Sequence, residues 1–303
     1  MGGARRRPAA RPLTAMSISR SRAVARWLLV VTLIATLAGS ASCRESSSTS
    51  GVEVRTKAVS LALEPYFREL RFVRVESTTG PLTLLFDTGG GTTLVTPEVA
   101  ARGGCTPHGR DVGHRMSGEP VEFKRCDRWE LRASGWSASL DPIGVFDVNA
   151  LLPGELPRLD GVLALDAFRG RVVTIDWPAS RILVHPQTHA DGNVRSTKLS
   201  FRAATGDTGR FLSVFVPVRA TRGRLWFLLD SGNIRGTLVS RHVATEGLLP
   251  VAPDRTASLA VDRGPAVRTR VEVADLAIDG ALGTEYLMAQ PVTLDLSAPP
   301  PGR

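Results

Sequence analysis

The chain lacks any apolar run long enough to cross a membrane as a helix, although 43% of its 303 residues are hydrophobic. A spanning helix needs about 20 mostly apolar residues, so a polytopic membrane protein is excluded. The hydrophobic content is nevertheless enough for one large or two modest cores. We therefore expect a globular chain.

The net positive charge beyond the N-terminus is small. The formal net charge is +9, but residues 1–43 hold seven arginines and no acid, which leaves 31 basic and 29 acidic residues afterwards. Aromatic residues make up only 6% of the chain, and no basic stripe interleaved with aromatics follows. The sequence therefore predicts no nucleic-acid partner.

Motifs for metals and for serine nucleophiles are also missing. The histidines form no HExxH pattern, no G-x-S-x-G occurs, and no ligand set surrounds the cysteines. We expect no metal and no cofactor. We also expect every histidine to be a surface or loop residue: His108, His114, His185, His189 and His242.

The N-terminus has the pattern of a signal peptide, with three arginines before the apolar stretch 27–39. Small residues then precede Cys43, which resembles the lipobox of bacterial lipoproteins, although Ser40 stands where leucine is usual. Lipidation of Cys43, ordinary cleavage and a short membrane anchor remain as alternatives. Residues 1–43 are thus predicted to direct export to the cell envelope, and residues 44–59 to form a flexible tether.

The chain has two further cysteines, Cys105 and Cys126. In an oxidising compartment they can pair, so the sequence predicts a disulfide between them. Two separately buried thiols are the alternative.

An internal repeat organises the remaining sequence. Residues 72–89 match residues 215–232 without a gap, and residues 159–177 match residues 278–296. Each copy alternates β-branched and apolar residues around a Gly-containing turn, as β-hairpins do. We therefore predict a mostly β chain of two related lobes, 60–190 and 191–303.

Each repeat carries an Asp directly after a strand that is apolar on both faces. The first copy reads Asp87-Thr88-Gly89 and the second reads Asp230-Ser231-Gly232. A lone D-[ST]-G tripeptide is weak evidence, but two in register within a duplication are a strong signal. Asp160 and Asp279 occupy equivalent positions in the second pair of matching segments, and each also precedes Gly. We interpret both as turn residues.

These motifs resemble the aspartic proteases, specifically bacterial members with retropepsin-like lobes duplicated in one chain as in pepsin. The resemblance implies an all-β, bilobal acid-protease fold with two β-barrel-like lobes and a catalytic cleft between them. It implies an aspartic-type endopeptidase in which Asp87 and Asp230 activate a water for attack on a peptide or protein substrate. Thr88, Gly89, Ser231 and Gly232 would support the catalytic loops.

Several features depart from that family. Ala164 stands where the family has Gly, Gly90-Gly91 follow the first motif, and no tyrosine occupies a flap position. The segment 113–123, with a turn near Ser117-Gly118, is the candidate flap.

A non-catalytic peptide-binding or structural lipoprotein on the same scaffold is the alternative function. Because the dyad is self-contained, a monomer is expected.

A second motif competes with this interpretation. The sequence FDTGGGTT is similar to the phosphate loop of the actin, heat-shock ATPase and sugar-kinase fold. That fold needs long helices, whereas helical periodicity here is limited to 97–102 and 241–246.

Overall fold

The computed structural model describes residues 58–186, 196–206 and 209–297. The signal-peptide prediction, Cys43 and most of the predicted tether lie outside these residues. All of the described residues belong to one compact unit, and the buried core lies within it. No helix in the described part of the chain is long and apolar enough to cross a membrane.

The described residues are mostly β-strand, as the sequence predicts. The first repeat and its flanks contain β1 Val59–Ala62, β2 Glu64–Pro65, β3 Arg71–Ser77, β4 Gly80–Phe86, β5 Leu94–Val95, β6 His108–His114, β7 Pro120–Cys126, β8 Trp129–Ala133, β9 Trp136–Leu140, β10 Ile143–Val145, β11 Gly161–Leu163, β12 Val172–Asp176 and β13 Arg181–His185. The second repeat contains β14 Thr197–Lys198, β15 Arg202–Ala204, β16 Ser213–Arg219, β17 Arg224–Leu229, β18 Thr237–Ser240, β19 Thr256–Ala260, β20 Ala266–Ala274, β21 Gly280–Leu282 and β22 Val292–Asp295. Val59, assigned to the tether from sequence, is the first residue of β1.

The described chain also contains two 3₁₀-helices, Val148–Leu151 and Leu165–Phe168, and three short α-helices: α1 Pro97–Arg102, α2 Arg241–Thr245 and α3 Thr284–Ala289. The hydroxyls of Thr96 and Ser240 accept the backbone N–H of Val99 and Val243, so both predicted helices begin at side-chain caps. The sequence did not predict α3, because Gly283 precedes it and supplies no capping side chain. None of these helices is the long helix of an actin-like fold, so the phosphate-loop interpretation has no support here.

The two repeats form separate sheets with the same central arrangement. In the first, β4 runs parallel to β11 and β11 pairs antiparallel with β5; in the second, β17, β21 and β18 do the same. The register is equivalent as well, since Leu84 pairs with Gly161 as Phe227 pairs with Gly280. The predicted duplication is therefore a duplication of structure.

A third sheet is shared by the two repeats. Its order is β1-β13-β12-β22-β14, and the antiparallel pair of β12 with β22 joins the repeats. His185 on β13 is buried there and its Nε2 lies 2.8 Å from Thr174 Oγ1. The expectation of a surface or loop position is wrong for His185, because β13 lies between β1 and β12; His108, His114 and His242 are exposed, and His189 lies outside the described residues.

Candidate functional site

The two motif aspartates lie at the ends of equivalent strands. Asp87 follows β4 and its N–H donates to Leu163 O at 3.0 Å, while Asp230 follows β17 and its N–H donates to Leu282 O at 2.9 Å. Each parallel neighbour, β11 or β21, thus holds the backbone at the point where the strand ends. We call residues 87–90 and 230–233 the Asp loops.

The Asp loops are joined by four reciprocal hydrogen bonds. Thr88 Oγ1 donates to Leu229 O at 2.8 Å and accepts the N–H of Ser231 at 2.9 Å. Ser231 Oγ donates to Phe86 O at 2.9 Å and accepts the N–H of Thr88 at 3.0 Å. All four bonds are buried, so each hydroxyl satisfies two backbone groups of the opposite repeat.

The two carboxyl groups lie together between the Asp loops. Each is oriented by its own loop, because the N–H of Gly89 donates to Asp87 Oδ1 at 2.8 Å and that of Gly232 donates to Asp230 Oδ1 at 3.0 Å. A Cβ on Gly89 would lie 2.6 Å from Asp230 Cγ, and one on Gly232 would lie 2.8 Å from Asp87 Cγ. Only glycine permits this approach of each loop to the opposite carboxyl group.

Burial and mutual repulsion change the titration of this pair. Burial raises the pKa of the Asp87 carboxyl above its ordinary value. Burial raises the pKa of Asp230 well above its ordinary value, and the charge of Asp87 raises it further. Because the pKa of each carboxyl group is raised, the pair retains a proton at a pH where isolated carboxyl groups would have lost theirs.

The chain that follows the first Asp loop is held by a part-buried carboxylate that sequence reasoning missed. Asp166 accepts hydrogen bonds from Thr92 Oγ1 at 3.1 Å and from the N–H and Oγ1 of Thr93. Thr93 Oγ1 in turn accepts the N–H of Ala164 at 3.1 Å. Asp166 aligns with Glu285 in the repeat, and this acidic pair was the available signal.

The second Asp loop is supported differently. Asn233 Nδ2 donates to Gly236 O at 3.0 Å, whereas the matching position in the first loop is Gly90 and has no side chain. Glu285 accepts the backbone N–H of Arg270 at 2.8 Å and pairs with its guanidinium group. A Cβ on Gly283 would lie 2.4 Å from Gly236 O, whereas Ala164 is accommodated at the equivalent place beside the first loop.

Asp160 and Asp279 are turn residues, as expected. Asp160 Oδ2 accepts the N–H of Thr83 at 2.9 Å, and Asp279 Oδ2 accepts the N–H of Trp226 at 2.8 Å. The equivalence of these two bonds shows that both carboxylates brace the repeated hairpins and lie outside the dyad.

The candidate flap is the hairpin of β6 and β7. Its tip reaches the second repeat, where Met116 O accepts the N–H of Ala277 at 2.9 Å. The Met116 side chain packs against the buried cluster of Leu228, Leu238 and Ala281 in that repeat. The hairpin therefore bridges from one repeat to the other.

The predicted disulfide is present. Cys105, which follows α1, is bonded to Cys126 at the end of β7, with 6.0 Å between the Cα atoms. The bond links the base of the β6–β7 hairpin, opposite its tip, to the segment that follows α1. Across the described ranges, no group of three or more His, Cys, Asp or Glu side chains is placed to hold a metal ion.

Comparison with known proteins finds similarity only at the level of structure. No family model matches the chain, and no curated protein matches it. Among solved structures, a basic 7S globulin from soybean matches with 13% identity and a TM-score of 0.47, over 79% of this chain and 92% of that one. Conglutin gamma, a basic 7S globulin from lupine seeds, matches with 12% identity and a TM-score of 0.48, over 79% and 93%.

These findings correct the family assignment made from sequence. Both of these structural neighbours are plant globulins and neither is a bacterial retropepsin-like protease, and no family model matches. The assignment was wrong because two short motifs and a duplication describe a local arrangement of loops, which distant proteins can share without the same function.

Proposed function

We propose that the chain is an aspartic-type endopeptidase with Asp87 and Asp230 as its catalytic dyad. The observation that carries the proposal is the convergence of two carboxyl groups at matching strand ends, each packed against the glycine of the opposite Asp loop and each with a raised pKa. In this proposal the two repeats are the lobes of a bilobal acid-protease fold, and the substrate occupies a cleft between them.

The mechanism follows from one shared proton. The ionised carboxyl group removes a proton from a water molecule as that water attacks the scissile carbonyl carbon, and the protonated group donates to the carbonyl oxygen. The resulting tetrahedral gem-diol collapses when the C–N bond breaks and the amine leaves with a proton from the dyad. No covalent enzyme intermediate forms. Thr88 and Ser231 are positioning residues, because their hydroxyls are already occupied by backbone groups.

The proposed setting is the cell envelope, where the chain acts as a monomer on peptide or protein substrates after export. The disulfide supports an oxidising compartment, since such bonds are rare where thiols are kept reduced. The proposal has two forms: the chain is lipidated at Cys43, or it is released by ordinary signal cleavage. In both forms the chain contacts the membrane through its N-terminal segment.

A non-catalytic peptide-binding or structural protein is the second candidate. It is favoured by the β6–β7 hairpin, whose tip is hydrogen-bonded to Ala277 and would have to separate from the second repeat to admit a substrate between them. A binding protein on the same scaffold would use the site without turnover.

The decisive experiment is cleavage of a diverse peptide library at acidic and near-neutral pH by wild type, Asp87→Asn and Asp230→Asn. Asp127→Asn is the matched control, because its side chain is 90% exposed. We expect wild type and the control to cleave, and each dyad variant to lose about 10²- to 10⁴-fold in rate, as loss of a general acid or base does. Absence of cleavage by folded wild type, or equal cleavage by all variants, would favour the binding protein.

A further inference from the structure

An arginine cluster lies at the turn of the β16–β17 hairpin. Arg219, Arg222 and Arg224 come from this hairpin, and Arg263 comes from the turn between β19 and β20. Two backbone contacts join the elements, the bridge of Val218 with Val261 and the hydrogen bond from Asp262 N to Pro217 O at 2.8 Å. We call these four arginines the arginine patch.

The arginine patch is exposed and its charges are unneutralised. All four side chains are exposed, and none forms an ion pair with another residue in the described ranges. Arg219, Arg224 and Arg263 line a shallow surface depression. Asp262 is the one acid that lines this depression, and it accepts a hydrogen bond from Ser200 Oγ at 2.7 Å. With Asp262 included the patch carries +3, more than the +2 of residues 44–303 as a whole.

The equivalent hairpin of the first repeat shows that the fold does not need these arginines. Glu76, Thr79 and Pro81 occupy the positions of Arg219, Arg222 and Arg224, each 143 residues earlier. Both hairpins form with the same pairing, since Val75 pairs with Leu82 as Val218 pairs with Leu225. The charge is therefore a property of the second hairpin alone and calls for an anionic partner.

An aromatic ring extends the arginine patch along one sheet face. Trp226 follows Arg224 by two residues and so lies on the same face of β17. The Arg202 guanidinium group stacks on the Trp226 ring, 3.9 Å from its centroid. Arginine beside a partly exposed tryptophan suits a bilayer surface, where phosphate groups meet apolar chains.

The position of the patch also fits a flat anionic surface. β17 runs from Arg224 to Leu229, so the patch and Asp230 are at opposite ends of one strand, about 20 Å apart at ordinary strand rise. We propose that the arginine patch binds the surface of a bilayer rich in anionic phospholipid, which turns the dyad end of the second repeat away from the membrane. A linear polyanion would require a basic track, whereas these arginines form a compact cluster.

The test uses the compact unit Val54–Arg303, so that the N-terminal apolar stretch does not itself bind lipid. Sedimentation with phosphatidylglycerol-containing vesicles and with pure phosphatidylcholine vesicles compares wild type with Arg219→Gln/Arg222→Gln/Arg224→Gln. We expect wild type to bind only the anionic vesicles, with affinity that falls as salt rises. Each arginine contributes about fivefold, so the triple variant should lose on the order of a hundredfold.

The control removes the same charge elsewhere, through Arg68→Gln/Arg132→Gln/Arg255→Gln at exposed positions. Thermal melting confirms that both variants are folded. Equal losses in the two variants, unchanged binding by the patch variant, or equal binding of wild type to both vesicle types would overturn the proposal. Patch-dependent binding to heparin without binding to vesicles would also overturn it and identify a soluble polyanion as the partner.

Discussion

The two repeats are alike where they hold the aspartates and different where they support the Asp loops. Both place Asp after a strand paired in parallel with the same register, and both exchange a hydroxyl with the opposite loop. Behind these loops, the first repeat uses the part-buried Asp166, and the second uses Asn233 and the Glu285–Arg270 pair. The comparison indicates that the dyad constrains the strands and the hydroxyls, while the outer support can vary.

The largest difference in unfolding free energy between the repeats should come from substituting the residue of one repeat at the equivalent position of the other, in Gly283→Ala and in Ala164→Gly. In Gly283→Ala the new Cβ would collide with Gly236 O and Asn233 O, and because both are backbone atoms we expect a loss of about 3 kcal/mol in unfolding free energy. Ala164→Gly removes a buried methyl group and should cost about 1 kcal/mol. Urea denaturation measures both, and equal losses would contradict the asymmetry.

The reciprocal hydroxyls should behave alike. Thr88→Val and Ser231→Ala each leave one buried carbonyl and one buried N–H without a partner, so each should cost about 2 kcal/mol. Thr88→Ser and Ser231→Thr keep the hydroxyl and are the matched controls. Denaturation of the four variants tests the symmetry, which a large loss from only one of the two substitutions would break.

The outer supports should again differ between the repeats. Asp166→Ala removes the acceptor of several part-buried hydrogen bonds, and we expect it to cost about 2 kcal/mol. Glu285→Ala removes a pair whose Arg270 side chain is exposed, and it should cost about 1 kcal/mol or less. Chemical denaturation compares the two, and a greater loss at Glu285 would reverse the proposed order of support.

The dyad should also make stability depend on pH. The pKa values of Asp87 and Asp230 are raised in the folded state, so folding takes up protons above the ordinary pKa of Asp. Their contribution is fully present below that value, about 4, and is lost as pH rises through the raised values. We expect Asp230→Asn to remove most of this decline. The unfolding free energies of wild type and Asp230→Asn are measured across pH. If the two curves run parallel, the dyad is not the source of the pH dependence.

Sequence reasoning identified the repeat, the strand-rich composition, the disulfide and both Asp loops because each is a local pattern. Asp166 and α3 were missed, since one acts through a distant loop and the other lacks a capping side chain. The burial of His185 depends on its neighbours in the shared sheet. The nearness of Arg263 to Arg219 likewise depends on pairing between strands that are far apart in sequence.

The shared sheet has a consequence for the assembly of the chain. Because β22 pairs with β12, and the Asp loops exchange their hydroxyls, each repeat completes the other much as one subunit of a symmetric dimer completes its mate. The covalent connection therefore supplies effective concentration to an association that the two halves already encode. The two repeats are in this sense the halves of a pseudo-symmetric pair held in one chain.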